Sequence, residues 1–111
     1  MKSKYMLIQS QGLGTGDEKL GRLLMANFLR LLAEGENRPK TIIFWNAGVN
    51  LLCEGSQVLG HMKKLESMGV EILACTTCLE YYDLMDKLSV GKPTTMIKSI
   101  ESMLKEEFIT L

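Results

Sequence analysis

Short runs of β-type residues alternate along the whole chain with segments of helical period. This alternation restricts the fold more than any single motif, because it is the pattern of an α/β domain with a mostly parallel sheet. Tyr5 to Gln9 reads as the first strand. Beyond Gly12-Leu13-Gly14-Thr15-Gly16, the residues Leu20, Leu23, Leu24, Phe28, Leu31 and Leu32 recur at helical steps, as one buried helical face requires. Thr15 and Glu18 have capping-box spacing ahead of that helix, and Gly35 with Pro39 closes it. Thr41-Ile42-Ile43-Phe44-Trp45 is a continuous apolar run, expected of a central strand covered on both faces. After a turn at Asn46-Ala47-Gly48, a second helix carries Val58, Met62 and Leu65 on one stripe and ends with Gly69 in the C′ position. Val70 to Ala74 is the third strand and runs into Cys75-Thr76-Thr77-Cys78. There Thr77 and Glu80 repeat the capping-box spacing and predict a short helix from Cys78. The remainder predicts a brief fourth strand over Lys87 to Val90, a loop over Gly91 to Thr94, and a helix over Thr95 to Leu104 built on Met96, Ile100 and Leu104. Phe108 to Leu111 reads as the closing strand.

Composition narrows the class. The chain has 111 residues, 46% hydrophobic and 23% charged, which suits a single domain over 1–111 with one core. Lysine plus arginine and aspartate plus glutamate both number 13, so the basic excess that nucleic acid or an anionic membrane surface calls for is missing. The apolar runs are far shorter than the roughly 20 residues that span a bilayer, and Met1-Lys2-Ser3-Lys4-Tyr5 leads into a strand, not a signal peptide. Three cysteines, an odd number at low density, point to reduced thiols and a cytoplasmic setting. The eight methionines read as flexible core filling, and the apolar content of so short a chain leaves hydrophobic area over for self-association.

In open α/β sheets, ligands sit outside the carboxyl ends of the strands, so Gln11–Asp17, Asn46–Leu52 and Cys75–Cys78 should converge on one rim. The Cys75-x-x-Cys78 motif is the strongest chemical signal there. A thiol in the first turn of a helix meets unpaired N–H groups and the positive end of the dipole, which favour the thiolate, while Glu80 in the same turn would oppose it. Two buried, inert residues at a strand-to-helix junction are the plain alternative. A thioredoxin-like pair would follow the first strand and face a cis-proline, and the only prolines are Pro39 and Pro93. A zinc site would have to recruit Cys53 and His61 from distant segments, so no metal and no cofactor is expected. The glycine loop lacks the third glycine of the dinucleotide fingerprint and the lysine of a phosphate loop. Its amides near Gly14, Thr15 and Gly16, facing Asn46, stay open as a place for an anion or a sulfur ligand. Trp45 is expected in the core with its indole N–H on a nearby carbonyl, or walling the crevice. One ring of Tyr81-Tyr82 is expected to pack and the other to face the rim. Cys53 reads as a buried small hydrophobe and His61 as a surface or partly packed helical residue.

With these segments placed, the sequence resembles the DsrE/F-like family, and within it the DsrE-like carboxyl-terminal domain of YedF-type proteins, which are sulfurtransferase-like and linked to selenium metabolism. The resemblance covers essentially the whole chain. It rests on Gly14-Thr15-Gly16-Asp17-Glu18 with Leu20-Gly21-Arg22 and Asn27-Phe28, and on Pro39-Lys40-Thr41-Ile42-Ile43-Phe44 with Asn46 and Gly48-Val49. Glu54-Gly55-Ser56, Gly69-Val70-Glu71-Ile72-Leu73, Cys75-x-Thr77-Cys78-Leu79 with Tyr81-Tyr82, and the closing Ile109-Thr110-Leu111 complete it. It implies a three-layer α/β/α sandwich with a sheet of about five strands and assembly into trimers or hexamers. In the sulfur-relay members it also implies a cysteine that carries a persulfide. Cys75 occupies the position of that relay cysteine, and Cys78 is the additional thiol of the Cys-x-x-Cys branch. The implied partners are sulfur donor and acceptor proteins, a TusA/SirA-like protein among them. The TusA/SirA-like amino-terminal domain of YedF-type chains has no counterpart in this sequence, so the domain either stands alone or is a fragment.

Overall fold

In the computed structural model, which describes residues 4–111, five parallel strands form one sheet in the order β4-β3-β2-β1-β5. β1 is Lys4–Ile8, β2 Thr41–Phe44, β3 Glu71–Cys75, β4 Lys92–Thr94 and β5 Glu107–Thr110. The helices are α1 (Glu18–Glu34), α2 (Leu59–Ser67), α3 (Thr76–Tyr81) and α4 (Met96–Lys105). From β1 to β4 the chain steps in one direction across the sheet, so right-handed crossovers lay α1, α2 and α3 on one face. The return from β4 to β5 puts α4 on the other. The result is an α/β/α sandwich, as the family resemblance implies, around the parallel sheet that the alternation predicts. The reading of Met1 to Ser3 lies outside the described residues.

The main core lies under the three-helix face. Met6, Ile8, Ile42, Phe44, Ile72 and Ala74 alternate along β1 to β3 and meet Met25, Leu29, Met62, Leu65 and Leu79. Burying a side chain of that size contributes about 1.5–3 kcal/mol. The intervening Leu7 and Ile43 are buried on the opposite face, which is why β2 reads as an unbroken apolar run.

The predicted inner face of α4 is corrected whole and that of α1 in part, where Phe28 and Leu32 do pack against the core. α1 turns Gly21, Met25, Leu29 and Ala33 inward, a strict four-residue step. Leu20, Leu23, Leu24 and Leu31 face solvent, Leu23 at 58% exposure. The small Gly21 packs against the backbone of Gly12 and Leu13, and four of the helix's leucines, Leu20, Leu23, Leu24 and Leu31, fall on the far side. α4 repeats this inversion: Ser99 is its buried residue, and Met96, Ile97, Ile100 and Leu104 point outward, Leu104 at 83% exposure. Residues that are apolar on both sides of a helix carry no label for which side meets the sheet.

Smaller corrections concern the caps and the fourth strand. Asp17, not Thr15, caps α1, its carboxylate accepting the Leu20 N–H at 2.8 Å. The segment after β2 is not a bare turn but a 3₁₀ helix over Asn46–Leu52. Lys87 to Val90 forms no strand. A short 3₁₀ turn, Met85–Lys87, and a single antiparallel bridge from Leu88 to Cys53 stand there, and β4 takes up Lys92–Thr94 where a loop is expected.

Candidate functional site at the carboxyl ends of the central strands

β3 ends at Cys75, and α3 begins at the next residue, so the helix starts earlier than the spacing predicts and Cys78 sits deeper in it. Cys75 occupies the N-cap position without a side-chain capping bond, and Cys78 is the third helical residue. Thr77 and Glu80 form no capping box, and Glu80 lies beyond the first turn. Thr76 fixes the junction by donating its hydroxyl to the Thr94 carbonyl at 2.9 Å, tying the start of α3 to the end of β4.

The rim brings the second predicted segment to the motif. Asn46, just past β2, is left-handed with φ of 50°, a conformation asparagine tolerates better than most residues. Its backbone N–H thereby donates to Cys78 Sγ at 3.0 Å. Tyr82 holds it in place, the phenol donating to Asn46 Oδ1 at 2.6 Å, while Tyr81 packs edge-on against Tyr82 with ring centroids 5.3 Å apart. Of the two rings, one of which is expected to face the rim, Tyr82 is the one that reaches Asn46 there. An asparagine leaving a strand in a left-handed turn gives a phenol an acceptor, but only the fold brings these residues, 36 positions apart, together.

The two thiols differ in access. Cys75 is buried at 4% exposure, and Cys78 is half-buried. Burial is the first cause that pushes the Cys78 thiol above its ordinary value of 9.0. Its hydrogen bond and charge interaction with the neighbouring Cys75 add to this, and the Asn46 N–H opposes them. The sequence sets the helix terminus against Glu80 without deciding between them; burial of the sulfur is the largest influence on Cys78 and acts upward. The sign fixes a pH profile. Alkylation of Cys78 by iodoacetamide rises about tenfold per pH unit through neutrality, with no plateau before the ordinary cysteine range. Cys75→Ser moves the midpoint down by removing the charge of a neighbouring thiolate, which its hydroxyl cannot carry. A plateau at neutral pH in the unmodified protein would contradict this.

Gly14, Thr15 and Gly16 lie apart from the cysteine pair. They line a cleft of about 330 Å³ with Asp17 and Arg22, and Ala47, the neighbour of Asn46, is its one lining residue from the 3₁₀ segment. Cys53 is buried, with its thiol donating to the Val49 carbonyl at 3.3 Å and burial pushing its pKa up, against ionisation. His61 is half-buried on α2. The Trp45 expectation is corrected: its indole Nε1 is buried with no hydrogen-bond partner among the described residues. No group of three or more potential metal ligands occurs among the described residues. No described helix is long and apolar enough to cross a membrane.

Fold and rim together define an α/β/α domain with a cysteine pair where β3 passes into α3. Solved structures share the fold over nearly their whole length. YchN from E. coli matches with a TM-score of 0.74 at 14% identity, covering 100% of both chains. MTH1491 from Methanobacterium thermoautotrophicum, a protein of unknown function, matches at 0.69 with 23% identity over 97% of each chain. BT1422 from Bacteroides thetaiotaomicron, also of unknown function, matches at 0.65 with 19% identity over 98% of this chain and 95% of its own. At these identities the likeness is one of fold alone. No protein-family model matches the sequence, and comparison with curated proteins gives no match.

Proposed function

We propose that the chain is a thiol-based carrier of sulfur, or of selenium by the same chemistry, loaded as a persulfide on Cys78 with Cys75 beside it. The YedF-type resemblance of the sequence supports this reading, and so does the fold shared with YchN. The observation that carries it is the half-buried Cys78 sulfur, set at the sheet's carboxyl rim against the Asn46 N–H and next to a second thiol. The Cys78 thiolate attacks the outer sulfur of a donor persulfide. The donor's S–S bond breaks, the donor leaves as a thiolate, and a new S–S bond stands on Cys78. An acceptor thiolate removes the outer sulfur by the same exchange, with no net oxidation. Cys75 offers a second exit: its thiolate attacks Cys78 Sγ, expels hydrosulfide and leaves a disulfide for an external dithiol to reduce. Protein donors and acceptors, a TusA/SirA-like protein among them, and assembly into a trimer or hexamer belong to this reading.

Two observations favour a second reading, a non-catalytic binding or assembly module. The outward apolar faces of α1 and α4 suit assembly, and the raised Cys78 thiol suits an unreactive residue. Incubation of folded protein with a small persulfide donor, followed by intact mass and peptide mapping, separates the two. The carrier gains one sulfur at Cys78. A folded chain that gains none on either Cys75 or Cys78 is the module.

A further inference from the structure

The two edges of the sheet are unlike. β4 is three residues long and contains Pro93 with Lys92 beside it. Both features turn away another strand, since proline offers no donor and a lysine resists burial along a seam. β5, at the other edge, is Glu107-Phe108-Ile109-Thr110, with no proline and no charge after Glu107. An apolar edge without such protection is an adhesive surface, and its outer side fits itself.

The fit follows from the direction of the backbone groups. Leu111 donates its N–H to the Leu7 carbonyl of β1 at 2.9 Å. Successive strand residues turn these groups to opposite sides, so Ile109 also faces β1 while Phe108 and Thr110 direct N–H and C=O outward. A two-fold axis through Ile109 therefore sets Phe108 opposite Thr110 of an antiparallel second copy, and Thr110 opposite its Phe108. Each such pair exchanges two hydrogen bonds. The side chains agree. Ile109 lies in register with Met6, and both line a groove of about 930 Å³ with Leu32 and Pro39, rimmed by charged residues of both signs, among them Lys4, Lys40, Glu36 and Glu107. Ile109 is 41% and Leu111 37% exposed, and the second copy's equivalents would fill this groove. On the other face Phe108 rests on Tyr5, ring centroids 5.3 Å apart, and has the small Thr110 across the seam. Each Glu107 falls opposite a Leu111, so the axis brings no like charges together.

We propose that β5 is a two-fold dimerisation edge whose occupant is β5 of a second copy, joining two five-stranded sheets into one. The seam closes on itself, whereas head-to-tail pairing of β5 with β4 would propagate without end and is blocked at Pro93. The inference stands independently of the carrier reading.

Sedimentation of the whole chain tests it. The expected particle is a dimer of the 12.5 kDa chain, or an even-numbered assembly containing it; a monomer at high micromolar concentration, or a trimer alone, overturns the proposal. Thr110→Pro removes an outward donor and no bond to β1, so the monomer keeps its circular dichroism. Association weakens by about thirtyfold, the effect of the two seam bonds lost by symmetry; unchanged association in a folded variant overturns the proposal. Ile109→Cys, made with Cys75 and Cys78 replaced by serine, is the readout should Thr110→Pro fail to fold. Mild oxidation gives a cross-linked dimer if Ile109 sits on the axis, and absence of that band overturns the proposal.

Discussion

Cys78→Ser is expected to lose sulfur loading by more than about a hundredfold, because a hydroxyl is not appreciably ionised near neutrality and is a weak nucleophile without an adjacent base. Cys75→Ser is expected to load at least as fast as the unmodified protein and to hold the sulfur longer. The difference comes from position. Cys75, with only 4% of its surface exposed, ends β3 beneath the junction and gives a donor no line of attack, whereas Cys78 stands half-buried at the rim. Removing Cys75 takes away the neighbouring thiolate whose charge holds the Cys78 thiol up, so the thiolate fraction grows. It also takes away the internal thiol that could displace hydrosulfide. Intact mass after a timed exposure to a small persulfide reads loading, and methylene blue formation from released sulfide reads retention. Equal loading of Cys78→Ser at Cys75 would reverse the assignment and put the relay role where the family resemblance places it.

The sequence carries much of this and hides a particular part. β1, β2 and β3 are legible because a central parallel strand must be apolar on both faces, and Thr41-Ile42-Ile43-Phe44 can be little else. β4 is not legible. Lys92-Pro93-Thr94 pairs on one side only and has no apolar pattern, so nothing local distinguishes it from a loop. The helices α1 and α4 are legible as helices but not in orientation. Exposed leucines and isoleucines outnumber the inward residues, and the buried positions include the small Gly21, Ala33 and Ser99. The cysteine pair is legible as a rim motif from its place after the third strand. Its ionisation is not, since that depends on burial and on an N–H from Asn46, 32 residues away, which a tyrosine from α3's far end steadies. Local spacing gives the place of a thiol; only packing gives its charge.

Gly91→Ala is expected to lower stability by about 2–5 kcal/mol and Gly69→Ala by about 1–2 kcal/mol, although both glycines are left-handed. The shared part is the conformational cost of an L residue at positive φ, about 1–2 kcal/mol; φ is +83° at Gly91 and +94° at Gly69. The part unique to Gly91 is space. A Cβ at Gly69 meets nothing within 4 Å, whereas at Gly91 it falls 2.7 Å from the Ile72 carbonyl oxygen and 2.8 Å from Ile72 Cγ2. Ile72 is a buried residue of β3, 2% exposed, so yielding means moving a central strand or an off-rotamer side chain, about 1–3 kcal/mol more. At about 4–8 °C per kcal/mol for a domain of this size, Gly91→Ala should fall roughly 10–30 °C in melting midpoint and Gly69→Ala roughly 5–15 °C. Equal losses would mean that Ile72 gives way without cost. The strain also reaches the site. Gly91 is followed by β4, whose Thr94 carbonyl holds Thr76 at the head of α3, and β3 itself ends at Cys75. A strand pushed at Ile72 loosens the junction that half-buries Cys78. The surviving folded fraction of Gly91→Ala is therefore expected to alkylate faster at Cys78 than that of Gly69→Ala at the same pH.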